Sequence, residues 1–174
     1  MEVWKDIPGY EGKYQASSYG QIRSLDREVI VTERVRGRFK RVCKGKILAQ
    51  KRQDAYGHLG TSLGQSGQFY THYLVALTFL GERPENQDVR HLDGNLINNN
   101  LENLAYGSRT DNIIDCYRQG KAWRKLTLEQ AREIKIRLAK GETGTSLAKE
   151  FGVNHTSIYR IKNGKTFSWM GEIA

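Results

Sequence analysis

The spacing of apolar residues predicts strands in the first half of the chain and helices in its last third. Residues 3–25 mix aromatic and β-branched side chains with Gly, Ser and Pro, which is typical of short strands and tight turns. Residues 57–72 predict a β-hairpin around a turn at residues 64–67. The apolar stretch 73–81 predicts a short core helix that ends at Gly81.

The C-terminal third predicts three short helices. The first begins at Thr127, which forms a capping box with Gln130 three residues later. Residues 145–152 and 155–164 predict two further helices separated by a tight turn, an order typical of a helix-turn-helix. A helical hairpin that only packs against its neighbour is the alternative. In a helix-turn-helix, the third helix would face the DNA major groove with His155, Thr156, Ser157, Tyr159, Arg160 and Lys162.

The net charge of +9 is unevenly distributed along the 174 residues. Residues 1–66 carry 13 Lys/Arg against 7 Asp/Glu, residues 67–112 carry 3 against 6, and residues 113–174 carry 12 against 6. Basic ends favour a polyanionic partner, because each neutralised phosphate releases counterions. The acidic centre would repel phosphate unless it also holds a cation, which hints at a metal site.

A basic segment at residues 34–52 contains nine Lys/Arg and no acidic residue, with apolar residues interspersed. This pattern predicts an extended basic ribbon against DNA, and a solvated loop or strand edge is the alternative. The predicted DNA contacts in this segment are Arg34, Arg36, Arg38, Lys40, Arg41, Lys44 and Lys46.

Composition argues against a membrane or secreted protein and against a protein stabilised by disulfides or a cysteine-zinc site. The sequence has no long apolar run and no signal-peptide pattern, so we expect a soluble, cytoplasmic protein of a prokaryotic or phage-infected cell. Cys43 and Cys116 are far apart and in no CxxC pair, which argues against a disulfide framework and a cysteine-zinc site.

The candidate chemistry lies in residues 89–112, which contain one histidine and six asparagines. Asparagine favours turns, and His91 stands at a predicted strand end before a sharp reversal. The loop and helix start that follow would return Asn103 and Asn112 to the imidazole. A neutral imidazole is a suitable base, and the Asn112 oxygen can hold Mg²⁺. Asn103 would fix the ring or the loop, whereas His58, His72 and His155 are interpreted as packing or surface groups.

These residues resemble the HNH nuclease motif, the ββα-metal finger, in the form found in homing endonucleases. His91, Asn103 and Asn112 fall on its H, N and N. The opening WKDIPGYEGKYQASSYGQIRSL and the later KGKILAQ resemble a NUMOD-type DNA-binding module, and a C-terminal helix-turn-helix also recurs in these nucleases. The resemblance implies an α+β chain of three modules: a β-hairpin-rich DNA-binding module (1–55), a ββα-metal nuclease unit (56–118), and a linker with the helix-turn-helix (119–174).

The resemblance also implies a divalent-metal-dependent endonuclease acting on double-stranded DNA as a monomer, with dimerisation left open. His91 is the implied general base and Asn112 the implied ligand of Mg²⁺ or Mn²⁺, whereas Asp93, Asn98 and Asn99 shape the loop. The chain departs from the family at Arg90, where an aspartate ligand is usual. Arg90 is therefore predicted to clamp the scissile phosphate or the leaving group. The alternative is a non-catalytic DNA-binding regulator that retains the nuclease fold; RNA binding suits a helix-turn-helix less well.

Overall fold

The computed structural model describes residues 1–34, 37–120 and 125–171, and the chain divides into two compact units, Met1–Asp115 and Cys116–Ala174. Within the described ranges, no helix has the length and apolar character needed to cross a membrane. The predicted Arg36 contact lies outside the described residues.

The N-terminal unit begins with short antiparallel strands, as its turn-rich sequence predicts. The first sheet has the order β1 (Trp4–Asp6), β2 (Tyr14–Ser17), β3 (Ile22–Ser24). A long antiparallel hairpin follows, formed by β4 (Arg27–Glu33) and β5 (Gly37–Cys43). Its second strand, β5, belongs to the basic segment at residues 34–52.

The next sheet contains the predicted hairpin. Its strands are β6 (Lys51–Arg52), β7 (Leu59–Ser62) and β8 (Gln68–Tyr70). The core helix α1 (Thr71–Leu80) follows directly and ends before Gly81, whose φ of 87° lies in a region that glycine tolerates at little cost. Both predictions are confirmed.

The segment with the asparagines forms a strand, a loop, a second strand and a helix. These elements are β9 (Asp88–His91), β10 (Leu104–Gly107) and α2 (Arg109–Arg118). The two strands are antiparallel, with His91 opposite Leu104. This ββα arrangement confirms the α+β fold class.

One hydrophobic core joins the first two predicted modules. Ile7, Tyr14 and Ile22 of the N-terminal segment are buried together with Leu63, Leu74 and Leu104 of the second predicted module. The predicted boundary at residues 55/56 therefore lies inside a single packed unit, and the opening segment can support the second module directly.

The C-terminal unit contains the three predicted helices. They are α3 (Leu128–Ala139), α4 (Gly144–Glu150) and α5 (His155–Lys162). Thr127 and Gln130 form the predicted capping box before α3. Apolar residues from all three helices form a separate core, among them Ile134, Leu147 and Ile158.

Candidate active site

His91 is the last residue of β9, and its side chain is buried at 6% exposure. The strand pairing places it beside β10, and the intervening residues 92–103 form the reversal that the sequence predicts. The imidazole is therefore held by a paired strand on one side and by the asparagine-rich loop on the other.

Asp93 and Asn103 stabilise this loop. The Asp93 backbone N–H donates to the Asn103 Oδ1 at 2.9 Å, and Asn103 Nδ2 donates to Asp93 Oδ1 at 2.9 Å. Asn98 Nδ2 donates to the other carboxylate oxygen at 2.7 Å. Burial would raise the pKa of Asp93, but these hydrogen bonds outweigh it and lower that pKa. Asn103 was predicted to fix either the imidazole ring or the loop, and its side chain forms hydrogen bonds within the loop.

The Asn99 side chain lies within hydrogen-bond distance of the His91 ring. Its Oδ1 lies 3.1 Å from His91 Nε2, and Asn99 is itself buried at 4% exposure. A carboxamide oxygen only accepts hydrogen bonds, so Nε2 carries the ring proton and Nδ1 keeps its lone pair. Asn99 was predicted only to shape the loop, because three consecutive asparagines carry no local pattern that separates one from the others.

The opening sheet fixes the position of Asn99. Gly20, with φ of 81°, packs so closely that an added Cβ would lie 2.7 Å from the Asn99 carbonyl carbon and oxygen. Nearby, the Leu101 N–H donates to the Ser18 carbonyl at 2.9 Å. The N-terminal segment therefore packs against the asparagine-rich loop at Asn99 and Leu101, and this loop positions the His91 imidazole.

His58 and His72 lie beside His91, contrary to their interpretation as packing or surface groups. His58 immediately precedes β7, and His72 lies in the first turn of α1. The ring centroids are 5.0 Å apart for His58–His72, 5.1 Å for His72–His91 and 5.9 Å for His58–His91. One ring nitrogen from each histidine lies within 4.8 Å of the other two. Their separation in sequence, 33 residues from His58 to His91, hides this cluster.

The environment of His72 and His91 favours neutral imidazoles. Burial lowers the pKa of His91, although the hydrogen bond with Asn99 opposes the shift. Burial, with the nearby His91 and His58, lowers the pKa of His72 to about 3. A neutral ring with an unprotonated nitrogen can accept a proton at physiological pH.

Asp54 orients His58 at the edge of the cluster. Its Oδ2 lies 2.6 Å from His58 Nδ1, and its Oδ1 accepts backbone N–H groups from Gly57 and His58. Burial would raise the pKa of Asp54, but these hydrogen bonds outweigh it and lower that pKa. The contact turns His58 Nε2 away from the carboxylate.

Arg90 is paired with Asp115 of α2. Its Nη1 donates to Asp115 Oδ2 at 2.7 Å, and the two side chains are 17% and 13% exposed. The Arg90 Nε is buried with no hydrogen-bond partner among the described residues. Asn112 lies on the exposed surface of α2, where its backbone N–H donates to the Ser108 carbonyl at 3.2 Å.

The predicted DNA contacts in the described residues lie at the protein surface. In the basic segment at residues 34–52, the predicted contacts with exposed side chains are Arg34, Arg38, Lys40, Arg41, Lys44 and Lys46. Lys40 pairs with Glu28 at 3.0 Å and Lys44 with Asp26 at 3.1 Å, both exposed pairs of small energetic value. On α5, Ser157 is half-buried, and the exposed side chains are His155, Thr156, Tyr159, Arg160 and Lys162.

Comparison with known families accounts for these segments in order. Residues 2–61 match the NUMOD4 motif, residues 69–113 match an HNH endonuclease model, and residues 124–165 match the helix-turn-helix domain of resolvase. A solved structure described as DNA binding and cleavage by the HNH homing endonuclease I-HmuI matches with a TM-score of 0.50 and 25% identity, covering 93% of this chain and 90% of that chain. Residues 69–113 of this chain are therefore similar to HNH endonucleases.

Two curated relatives are similar to this chain as well. DNA endonuclease I-HmuI of Bacillus phage SP01 is 35% identical over 112 residues, covering 63% of this chain and 55% of the relative. An uncharacterized HNH endonuclease of Acanthamoeba polyphaga mimivirus is 29% identical over 174 residues, covering 94% of this chain and 39% of the relative. The chain thus spans about half the length, or less, of these HNH relatives.

Proposed function

We propose that this chain is a site-specific DNA endonuclease, of the homing type, that hydrolyses phosphodiester bonds with His91 as general base. The observation that carries the proposal is the buried His91 imidazole, held by Asn99 within the segment that matches the HNH endonuclease model. A general base in such a position typically contributes about 10²- to 10⁴-fold to the rate.

The proton transfer follows from the hydrogen bond between His91 and Asn99. Because Nε2 donates to the Asn99 oxygen, Nδ1 is the nitrogen that accepts a proton from the attacking water. The imidazolium that forms then keeps its Nε2–H bond to the same carboxamide oxygen. Asn103 and Asp93 have a structural role, because their hydrogen bonds stabilise the loop that carries Asn99.

A divalent ion, Mg²⁺ or Mn²⁺, completes the proposed site. The donor chemistry fits an ion that keeps most of its waters, because Asn112 presents an exposed carboxamide oxygen and Arg90 offers no oxygen at all. When bound, the ion supplies positive charge against the phosphate and the leaving oxygen. Arg90 is a further candidate for a phosphate contact, and reaching it would require the guanidinium to share or leave its bond with Asp115.

The proposed partner is double-stranded DNA, reached in the cytoplasm of a prokaryotic or phage-infected cell. The exposed cations of the β4–β5 hairpin and the polar face of α5 support DNA contacts by the segments that precede and follow the HNH-like segment in the sequence. A fragment of residues 1–118 should bind the target more weakly than the whole chain while retaining some metal-dependent cutting. Equal affinity of the fragment and the whole chain would contradict recognition by the C-terminal helices.

The decisive test is plasmid nicking with Mg²⁺, with EDTA, and with the His91→Ala variant. We expect nicking that requires the ion and disappears in the variant, while gel-shift binding to DNA survives. One proposed site per chain favours a nick by a monomer, and a linear product that appears with second-order dependence on protein would indicate a dimer. The Asn100→Ala variant is the matched control, because Asn100 is exposed in the same loop.

The Arg90–Asp115 pair favours one rival, a DNA-binding regulator that retains the nuclease fold. A cation at this position removes an acidic ligand, and the partly buried ion pair gives Arg90 a structural role. The regulator would bind DNA equally with and without Mg²⁺. It would not nick DNA with any metal ion. Metal-dependent nicking by the wild-type chain would refute it.

A further inference from the structure

We propose that His58, His72 and His91 form a site for a borderline transition-metal ion such as Zn²⁺ or Co²⁺. The three histidines come from three different elements, yet one ring nitrogen of each lies within 4.8 Å of the others. Imidazole nitrogens suit zinc, cobalt, nickel and copper, whereas Mg²⁺ prefers oxygen. The site therefore differs in donor chemistry from the proposed Asn112 site.

Two of the three rings are oriented by a carbonyl or carboxylate oxygen, as metal-binding histidines usually are. Asp54 Oδ2 contacts His58 Nδ1 at 2.6 Å, which leaves His58 Nε2 with its lone pair. Asn99 Oδ1 contacts His91 Nε2 at 3.1 Å, which leaves His91 Nδ1 with its lone pair. Each contact fixes the tautomer that a ligand requires.

His72 supplies the observation that simple packing of the rings leaves unexplained. Its Nδ1 is buried and has no hydrogen-bond partner among the described residues. An aromatic cluster accounts for the ring of Tyr70, which stacks on His72 at 5.2 Å between centroids. It does not account for an unsatisfied buried nitrogen, which costs free energy unless a ligand occupies it.

The present spacing of the nitrogens requires a small closure to bind an ion. Tetrahedral zinc with bonds of about 2.0–2.1 Å places its ligand atoms about 3.4 Å apart. From a separation of at most 4.8 Å, the rings would approach each other by up to about 1.4 Å, which rotations about the side-chain bonds can supply. Three nitrogens leave the fourth position open for water.

Occupancy of this site would control the proposed nuclease. A lone pair of His91 that is bonded to the ion cannot accept a proton from the attacking water, so Zn²⁺ should suppress nicking supported by Mg²⁺. This consequence rests on the proposed function; the binding of the ion does not.

The test is a titration of the full chain with Co²⁺, whose visible absorption reports nitrogen ligands in a four- or five-coordinate site. We expect saturation at one ion per chain, loss of the absorption band in His58→Ala and His72→Ala, and no change in the control His155→Ala, whose histidine lies in the other unit. Circular dichroism establishes that each variant is folded. Asp54→Asn keeps all three ligands and should weaken affinity by about 10- to 100-fold.

Binding that persists unchanged in the His58, His72 and Asp54 variants would overturn the proposal, as would the absence of a visible band. A near-ultraviolet thiolate-to-cobalt band would assign the ion to Cys43 or Cys116 and would also overturn it. Nicking with Mg²⁺ is measured separately. Cobalt binding without nicking would refute the nuclease and leave the metal site standing, and nicking without cobalt binding would do the reverse.

Discussion

Replacing Asn99 with alanine removes the acceptor that faces His91 Nε2 in a buried environment. Both residues are less than 10% exposed, so water cannot readily replace the lost hydrogen bond. Leaving one buried polar group unsatisfied costs about 1–3 kcal/mol. If this free energy appears entirely in the orientation of His91 as the proposed general base, the nicking rate should fall by about 5- to 150-fold.

The pH dependence separates this mechanism from simple loss of folded protein. Burial lowers the pKa of His91, and the hydrogen bond with Asn99 opposes that shift. Without the bond, the pKa of His91 falls further. Because only the neutral ring accepts a proton, the rate declines as pH falls through this pKa, and in Asn99→Ala the decline should move to lower pH.

The assay is plasmid nicking with Mg²⁺ between pH 5 and pH 9, with Asn100→Ala as the control for changes within the loop. We expect Asn100→Ala to retain the wild-type rate and pH profile. A role of Asn99 in orienting His91 is refuted if folded Asn99→Ala nicks at the wild-type rate, or if its rate falls with no displacement of the acid limb.

Three further predictions concern stability and DNA binding. The pKa of His72 is about 3 in the folded chain and 6.5 in the unfolded chain, so unfolded chains bind more protons between these pH values. The free energy of unfolding therefore falls with decreasing pH, by up to about 1.4 kcal/mol per pH unit from this group. Urea unfolding of His72→Phe should show a smaller loss of stability in acid than the wild type. Arg38→Gln should reduce the slope of log affinity against log salt by about 1, and equal slopes for Arg38→Gln and Lys140→Gln would contradict a phosphate contact by the hairpin. Gly20→Ala should lower the free energy of unfolding by more than Gly12→Ala and should also impair nicking. Both glycines have positive φ, but of the two only Gly20 contacts the asparagine-rich loop. Equal losses of stability in chemical denaturation would refute this.

Local sequence determined most of the fold. The hairpin at residues 57–72, the end of α1 at Gly81 and the capping box of Thr127 and Gln130 are each encoded within a few residues, and all are found where the pattern predicts them. Such signals can be read directly because they depend on backbone hydrogen bonds and apolar periodicity between near neighbours. The resemblance to HNH nucleases likewise identified the segment around His91.

Tertiary structure alone decided which side chains meet at the imidazole. Among six asparagines of similar local context, the close approach of Gly20 and the strand register of His91 with Leu104 select Asn99 as the partner of the ring. Packing of α1 and β7 then brings His72 and His58 to the same place. These contacts join residues far apart in the chain, so their specificity lies in register and packing, which the order of residue types does not display.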